Sequence, residues 1–337
     1  MVKPGQYNPR LTLLCLNRPE FTEIPRMLEI LLPMAAVIAC GVAWRSLRPA
    51  GVDADQVRRV LTQVVWNLML PALVLAVLWK ASLGNTTFAI AFVAASVIVL
   101  GLVVSWVVCR ACRRQREVTG ALMLAAAFPN ATYLGLPVLE KTLGPWARSV
   151  AIQYDLFACT PMLLIVGVAV AQRFGHKQGD TTIIRELVRV PPLWAALLAV
   201  VLNVTGVVPP KFVENTLSLL GSSVVPLMLF SVGLGLRWEK AILHSLPAVA
   251  PVAAIRLLLM PLAAVGLTQI VGLGGDLQMA VVMEAAMPTM LIGMVICDRY
   301  GLNSTIFAAA VTLTTLLSLV TLPLWFELLN RPSLLGL

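Results

Sequence analysis

The sequence predicts an all-α integral membrane protein of ten transmembrane helices, arranged as two inverted five-helix repeats with proline-broken fourth and ninth helices. Three observations predict it: an apolar surplus no water-facing surface can hold, ten nearly charge-free runs of helix-spanning length, and a proline motif that recurs between the halves. Of 337 residues, 59% are hydrophobic and only 12% charged, so too few Lys, Glu, Arg and Asp exist to clothe soluble domains. The surplus needs lipid to face.

A nearly uncharged stretch of about 20 residues satisfies its own backbone as a helix and matches a hydrocarbon layer of about 30 Å. Such runs lie at 27–44, 60–78, 87–108, 120–139 and 150–171, then at 192–208, 213–236, 246–271, 277–297 and 306–328. The organisation that follows is a polar tail over 1–26, a first membrane repeat over 27–171, and a loop over 172–190. A second repeat covers 191–328 and a short tail 329–337. The tail before Met27 holds no apolar core of signal-peptide length, and it can precede the natural start.

Lys and Arg in the gaps set orientation, because cytoplasmic loops retain positive charge. One side collects Arg45, Arg48, Arg58, Arg59, Arg110, Arg113, Arg114, Arg116, Arg173, Lys177, Arg185, Arg189, Arg237, Lys240 and Arg299; the other holds Lys80, Lys141, Arg148 and Lys211. Both termini are thus expected outside, with the 172–190 loop in the cytoplasm. The net charge of +9 is spread through these gaps with no single patch, so it reads as a topology signal and not as nucleic-acid binding. Six scattered cysteines include one close pair, Cys109 and Cys112, without a second pair of metal ligands; no metal or cofactor is expected.

Five helices per half make two similar halves insert with opposite orientation. The fourth run reads ALMLAAAFPNATYLGLPVLEKTLG and the ninth AVVMEAAMPTMLIGMVICDRYG, so Pro129 aligns with Pro288, and Gly135 and Gly293 fall within one position of matching. LMLPALVLAV and SVVPLMLFSV pair Pro71 with Pro226. A mid-helix proline removes a donor and clashes one turn back; in lipid such breaks are tolerated where they line a cavity or are buried in protein. Pro129, Asn130 and Thr132 on one helix, with Pro288 and Thr289 on the other, are therefore the candidate substrate contacts. The Asn130 amide can bind a carboxylate or carbonyl group, or cap its own half-helix. Asn67, Ser222 and Ser223 are candidates for the cavity wall or for helix–helix hydrogen bonds.

Ionisable groups within spans are costly, and three stand out: Asp155, Arg256 and Glu284. At similar depth, either carboxyl can pair with Arg256, or one can carry a coupling proton. Glu284 lies one turn before Pro288 and is the stronger coupling candidate. A static pair, or a permanently protonated carboxyl, is the structural alternative. Enzyme readings fail on the residues: His176 and His244 fall in or beside loops, Asp155 has no embedded aspartate partner, and GLGGD at 272–276 lacks the lysine of a phosphate loop.

The segments AAAFPNATYLGLPVLEKTLG, WNLMLPALVLAVL, SVVPLMLFSVGLGL and VVMEAAMPTMLIGMVICDRYGLN resemble the auxin efflux carrier family, over about residues 27–328. The resemblance implies helices four and nine crossing at their proline breaks, solute export or uptake by an elevator-like motion, and a homodimer. Pro129 and Pro288 match the crossover positions and Asn130 the polar residue after the first break. Thr289 departs from that pattern and puts the symmetry of the contacts in doubt. Bacterial-type permeases of this family are labelled for malonate and other carboxylates, and plant relatives export an indole carboxylate.

The expectation is a secondary transporter of a small organic anion in a bacterial inner membrane, with both termini periplasmic. Coupling is to protons or membrane potential, with Na⁺ left open. The other class is a membrane sensor or scaffold that keeps the transporter fold.

Overall fold

The computed structural model describes residues 23–81, 84–176, 190–236 and 240–331. Most of the 172–190 loop, with Lys177, Arg185 and Arg189, lies outside the described residues, as do Arg237, the tails 1–22 and 332–337.

The described residues are helical apart from short connections and one isolated antiparallel bridge. The helices are α1 (Glu23–Leu47), α2 (Ala54–Leu78), α3 (Asn85–Ala111), α4 (Arg116–Ala127), α5 (residues 131–143), α6 (Ala147–Phe174) and α7 (Pro191–Val204). They continue as α8 (Lys211–Gly235), α9 (residues 240–270), α10 (Gly275–Ala285), α11 (Gly293–Tyr300) and α12 (Ser304–Asn330). Among the described residues seven helices are long and apolar enough to cross a membrane: α1, α2, α3, α6, α8, α9 and α12. The exceptions have a physical origin. The runs predicted at 120–139 and 277–297 are each split in two, and α7 is a shorter apolar helix.

Proline placement explains the local irregularities. Wide five-residue turns occupy Val65–Met69, Ala131–Gly135, Asp155–Cys159 and Ile255–Leu259, and each is followed two residues later by a proline: Pro71, Pro137, Pro161 and Pro261. The ring has no N–H and would strike the carbonyl one turn back, and the widened turn carries the ladder past that gap. In α5 the Gly135 amide accordingly reaches back five residues to the Asn130 carbonyl, at 3.0 Å.

The helices pack in two groups. α1 lies along α8, and α2 along α7 and α8. The second group joins α3 with α4, α9 with α10 and α12, and α6 with α5 and α10. Glycine allows the closest approach: a Cβ on Gly233 of α8 would lie 2.9 Å from the Gly41 Cα of α1. The apolar core runs through both groups, and its buried polar residues concentrate in the second.

Candidate functional site

Two interrupted helices meet at the centre of the second group. α4 ends at Ala127 and α5 begins at residue 131; α10 ends at Ala285 and α11 begins at Gly293. The extended segments between them pair as a two-stranded antiparallel bridge between Pro129 and Thr289. The Asn130 amide donates to the Pro288 carbonyl at 2.8 Å, and the Met290 amide to the Phe128 carbonyl at 3.1 Å. Each break thereby satisfies the other's backbone, as burial in an apolar layer demands.

Interrupted helices leave orphan carbonyls at one end and orphan amides at the other. Arg256, in the wide turn of α9 and fully buried, holds the carbonyl ends. Its Nη1 donates to the Ala127 and Ala126 carbonyls at 3.0 and 3.3 Å, its Nε to the Met287 carbonyl at 3.1 Å, and its Nη2 to the Ala285 carbonyl. One guanidinium thus caps the C-terminal ends of both α4 and α10, where the helix dipoles are negative. Of the alternatives the sequence left open, the ion pair is not the one seen: Arg256 spends its fork on backbone, not on Asp155 or Glu284.

The two carboxyls are placed differently. Asp155, in a wide turn of α6, accepts from Thr132 Oγ1 and, at 3.1 Å, from Thr160 Oγ1. The five-residue turn puts Asp155 and Thr160 on one face. Glu284 is fully buried near the end of α10, and neither carboxylate oxygen has a hydrogen-bond partner among the described residues. Its carboxyl rests on the backbone of α5, where a Cβ on Gly135 would sit 2.6 Å from Oε1. Glu284 lies within electrostatic range of both Asp155 and Arg256. Buried Tyr133 and Tyr154 hydroxyls also lack partners among the described residues.

A cavity of about 60 Å³ sits at the crossing, between Asn130, Thr132, Asp155, Thr160, Trp66 and the Met290–Ile292 turn. That is room for a few waters or an ion, at roughly 10–15 Å³ per water. Asn130 faces it, with no side-chain hydrogen bond of its own among the described residues and no cap on its helix, so the capping alternative for its amide does not hold. Thr289 is fully buried with its groups committed: Oγ1 donates to the Ala125 carbonyl at 2.8 Å and its amide to Thr314 Oγ1 at 3.1 Å. The two positions after the breaks are therefore placed differently, Thr289 bonded within the protein and Asn130 facing the cavity. Pro129 and Pro288 lie within the bridge. Asn67 is not in this wall: it is exposed and donates to the Gln63 carbonyl at 2.8 Å, while its neighbour Trp66 lines the cavity. Trp66, Tyr133 and Thr160 are site residues that sequence reasoning missed; Pro161, six residues after Asp155, was the signal for the last.

A second cavity, of about 760 Å³, opens between α1, α2, α5 and α8 at the end carrying Lys80, Lys141 and Arg148. Leu136 and Pro137 of α5 line it, one turn beyond the small cavity, and Ser222 faces it. Lys80 pairs with Glu214 and Arg148 with Glu140; Lys141 has no ion pair among the described residues.

Apolar spans wrapped around two mutually bonded helix breaks, with polar groups and voids beside them, define a multi-pass membrane transport protein. The comparisons fix the family: the model described as "Membrane transport protein" matches residues 29–326, and the chain belongs to that family, which is of the auxin efflux carrier type. It is 30% identical over 281 residues to an "Uncharacterized transporter" of Methanothermobacter thermautotrophicus, covering 83% of this chain and 91% of that one. The "Uncharacterized transporter YfdV" of Escherichia coli K12 is 25% identical over 304 residues, 88% of this chain and 95% of its own. "Auxin efflux carrier component 3a" of Oryza sativa subsp. japonica is 27% identical over 151 residues, 43% of this chain but 24% of its own.

Proposed function

We propose that the chain is a secondary transporter for a small organic anion such as a carboxylate, coupled to protons or to the membrane potential. The observation that carries this reading is the crossing itself: two broken helices bonded from Asn130 to Pro288 and from Met290 to Phe128, with the free Asn130 side-chain amide and Asp155 on one cavity. The first-turn amides of α5, on Ala131, Thr132 and Tyr133, have no partners within their own helix and offer partial positive charge to an anion, whereas in α11 Met294 and Val295 already donate to the Leu291 and Ile292 carbonyls. An ionised Asp155 repels such an anion and a protonated one admits it, which ties binding to a proton. Charge balance supports the same view, since one guanidinium and two carboxyls buried together are neutral only when one proton is held.

At about 60 Å³ the crossing is too small for an organic acid, whereas about 760 Å³ falls within the range of ligand sites. The larger cavity is read as the vestibule from which the substrate reaches Asn130. The arginine-rich ends face the cytoplasm in this reading, so the vestibule opens to the periplasm of a bacterial inner membrane and both termini lie there.

The ten-span, inverted-repeat architecture belongs to the same proposal, with α4 plus α5 and α10 plus α11 as the interrupted spans. Exchange of the halves carries the α1–α8 contact onto α7–α2, and α3–α4 onto α9–α10. The group containing the crossing is then the part that slides against α1, α2, α7 and α8.

Purified protein in liposomes, supplied with labelled dicarboxylates and indole carboxylates, tests the function. Accumulation that grows with an imposed pH gradient or membrane potential is expected. No uptake of any of these acids under either gradient refutes the reading.

A further inference from the structure

We propose that the ends of α3, α4 and α6 form a binding site for the phosphate group of an anionic phospholipid. Arg110 in the last turn of α3, Arg116 at the start of α4 and Arg173 in the last turn of α6 converge on a recess of about 450 Å³, with Trp106 and Phe174 as its apolar walls. Among the described residues no carboxylate lines it. Two contacts hold the cations in place without neutralising them. Arg116 Nη2 donates to the Arg173 carbonyl at 2.7 Å, and the Arg110 guanidinium lies 5.7 Å from the Trp106 ring centroid. Neither partner is an anion, so three like charges are gathered with no carboxylate paired to them among the described residues. The contrast on the same basic face is Arg45 and Arg58, which share Asp55 at 3.2 and 3.6 Å.

Depth selects the ligand. α3 and α6 are apolar enough to span a bilayer, so their ends lie at headgroup level, and Trp106, one turn inward and 39% exposed, stands where interfacial aromatics sit. A phosphodiester accepts from guanidinium forks through its two free oxygens, while Trp106 and Phe174 meet the glycerol and the upper acyl chain. Among anions at that depth, phospholipid headgroups supply the charge that basic interhelical pockets bind. Free phosphate shares the headgroup chemistry and lacks the chains.

The test is native mass spectrometry and thermal melting of the full-length purified protein with phosphatidylglycerol, with phosphatidylcholine of the same chains, or with inorganic phosphate. Retained phosphatidylglycerol and a raised melting temperature are expected, with phosphatidylcholine and phosphate well behind. Arg110→Gln/Arg173→Gln removes two cations and leaves the Arg116 contact to the residue 173 carbonyl. It should weaken phosphatidylglycerol binding about twenty-five-fold, at roughly fivefold per cation. The charge-matched pair Arg48→Gln/Arg59→Gln should stay within about twofold of the parent. Arg110→Gln alone, the fallback should the pair not fold, should lose about fivefold. Equal retention of both lipids, equal loss in both double variants, or stabilisation by millimolar phosphate matching that by the lipid would each overturn the assignment.

Discussion

Arg256→Met tests whether one guanidinium holds the crossing together. The substitution keeps an unbranched apolar chain out to about the position of Nε and removes the four hydrogen bonds that Arg256 makes to Ala126, Ala127, Ala285 and Met287. Interhelical hydrogen bonds in membrane proteins average about 0.6 kcal/mol, so four give a floor of about 2.4 kcal/mol. Four charge-assisted bonds at the low end of their range, about 1.5 kcal/mol each, would give about 6 kcal/mol. Arg256→Lys keeps the charge, but one ammonium cannot span carbonyls on both α4 and α10, so it should recover less than half of the loss. Unfolding in mixed micelles, followed by tryptophan fluorescence, reads the difference. A methionine variant within about 1 kcal/mol of the parent, or a lysine variant fully as stable as the parent, would show that the fork is not what closes the two helix ends.

Four further outcomes are expected. Asn130→Ala should raise KM for uptake about tenfold, the equivalent of about 1.4 kcal/mol, and leave thermal stability unchanged because its side chain holds no hydrogen bond; a lowered melting point with unchanged KM would move Asn130 from binding to structure. Glu284→Gln keeps the volume and removes one of the two buried carboxyls that can hold the proton, so uptake should lose part of its pH dependence, and an identical pH profile would take Glu284 out of coupling. Gly135→Ala places a methyl 2.6 Å from Glu284 Oε1 and should destabilise by about 1–3 kcal/mol; Gly135→Ala/Glu284→Ala should regain most of it, and additive losses in a double-mutant cycle would show that the two residues do not touch. Gly233→Ala forces α8 off Gly41 and the Ile38 carbonyl and should cost a similar amount in the same unfolding assay; a neutral effect would mean that α1 and α8 yield readily.

The helices were legible because each apolar run must satisfy its own backbone, and Pro129 and Pro288 announced the breaks because a ring without an N–H cannot continue the ladder. Burial of Asp155, Arg256 and Glu284 was legible for the same reason: each falls inside an apolar run. The partners of Arg256 were not. A charge in sequence suggests an opposite charge, whereas the groups it holds are main-chain carbonyls, which leave no mark in side-chain identity. Asn67 failed through geometry. Asn67 lies four residues before Pro71, one turn away in an ordinary helix, but the wide turn at Val65–Met69 changes which side chains share a face and brings Trp66 to the cavity. The same effect, unforeseen, brought Thr160 to Asp155.

Four wide turns share a position relative to proline, and each contains a polar side chain drawn from the candidates: Asn67, Thr132, Asp155 and Arg256. The fifth, at Leu163–Gly167, has no proline two residues on and no such side chain; there Gly167 receives the Phe128 ring, 3.4 Å from where a Cβ would lie. The division follows from what lipid demands. A polar side chain at membrane depth needs partners, and a loosened ladder supplies spare carbonyls and a larger angular spread between neighbours. Thr132 and Asp155 use that spread to reach each other across α5 and α6, and Arg256 uses it to reach two helix ends at once. Proline therefore does more than interrupt helices here: its regular offset sets where the ladder opens, and three of the four openings deliver a polar group to the crossing of α4–α5 with α10–α11.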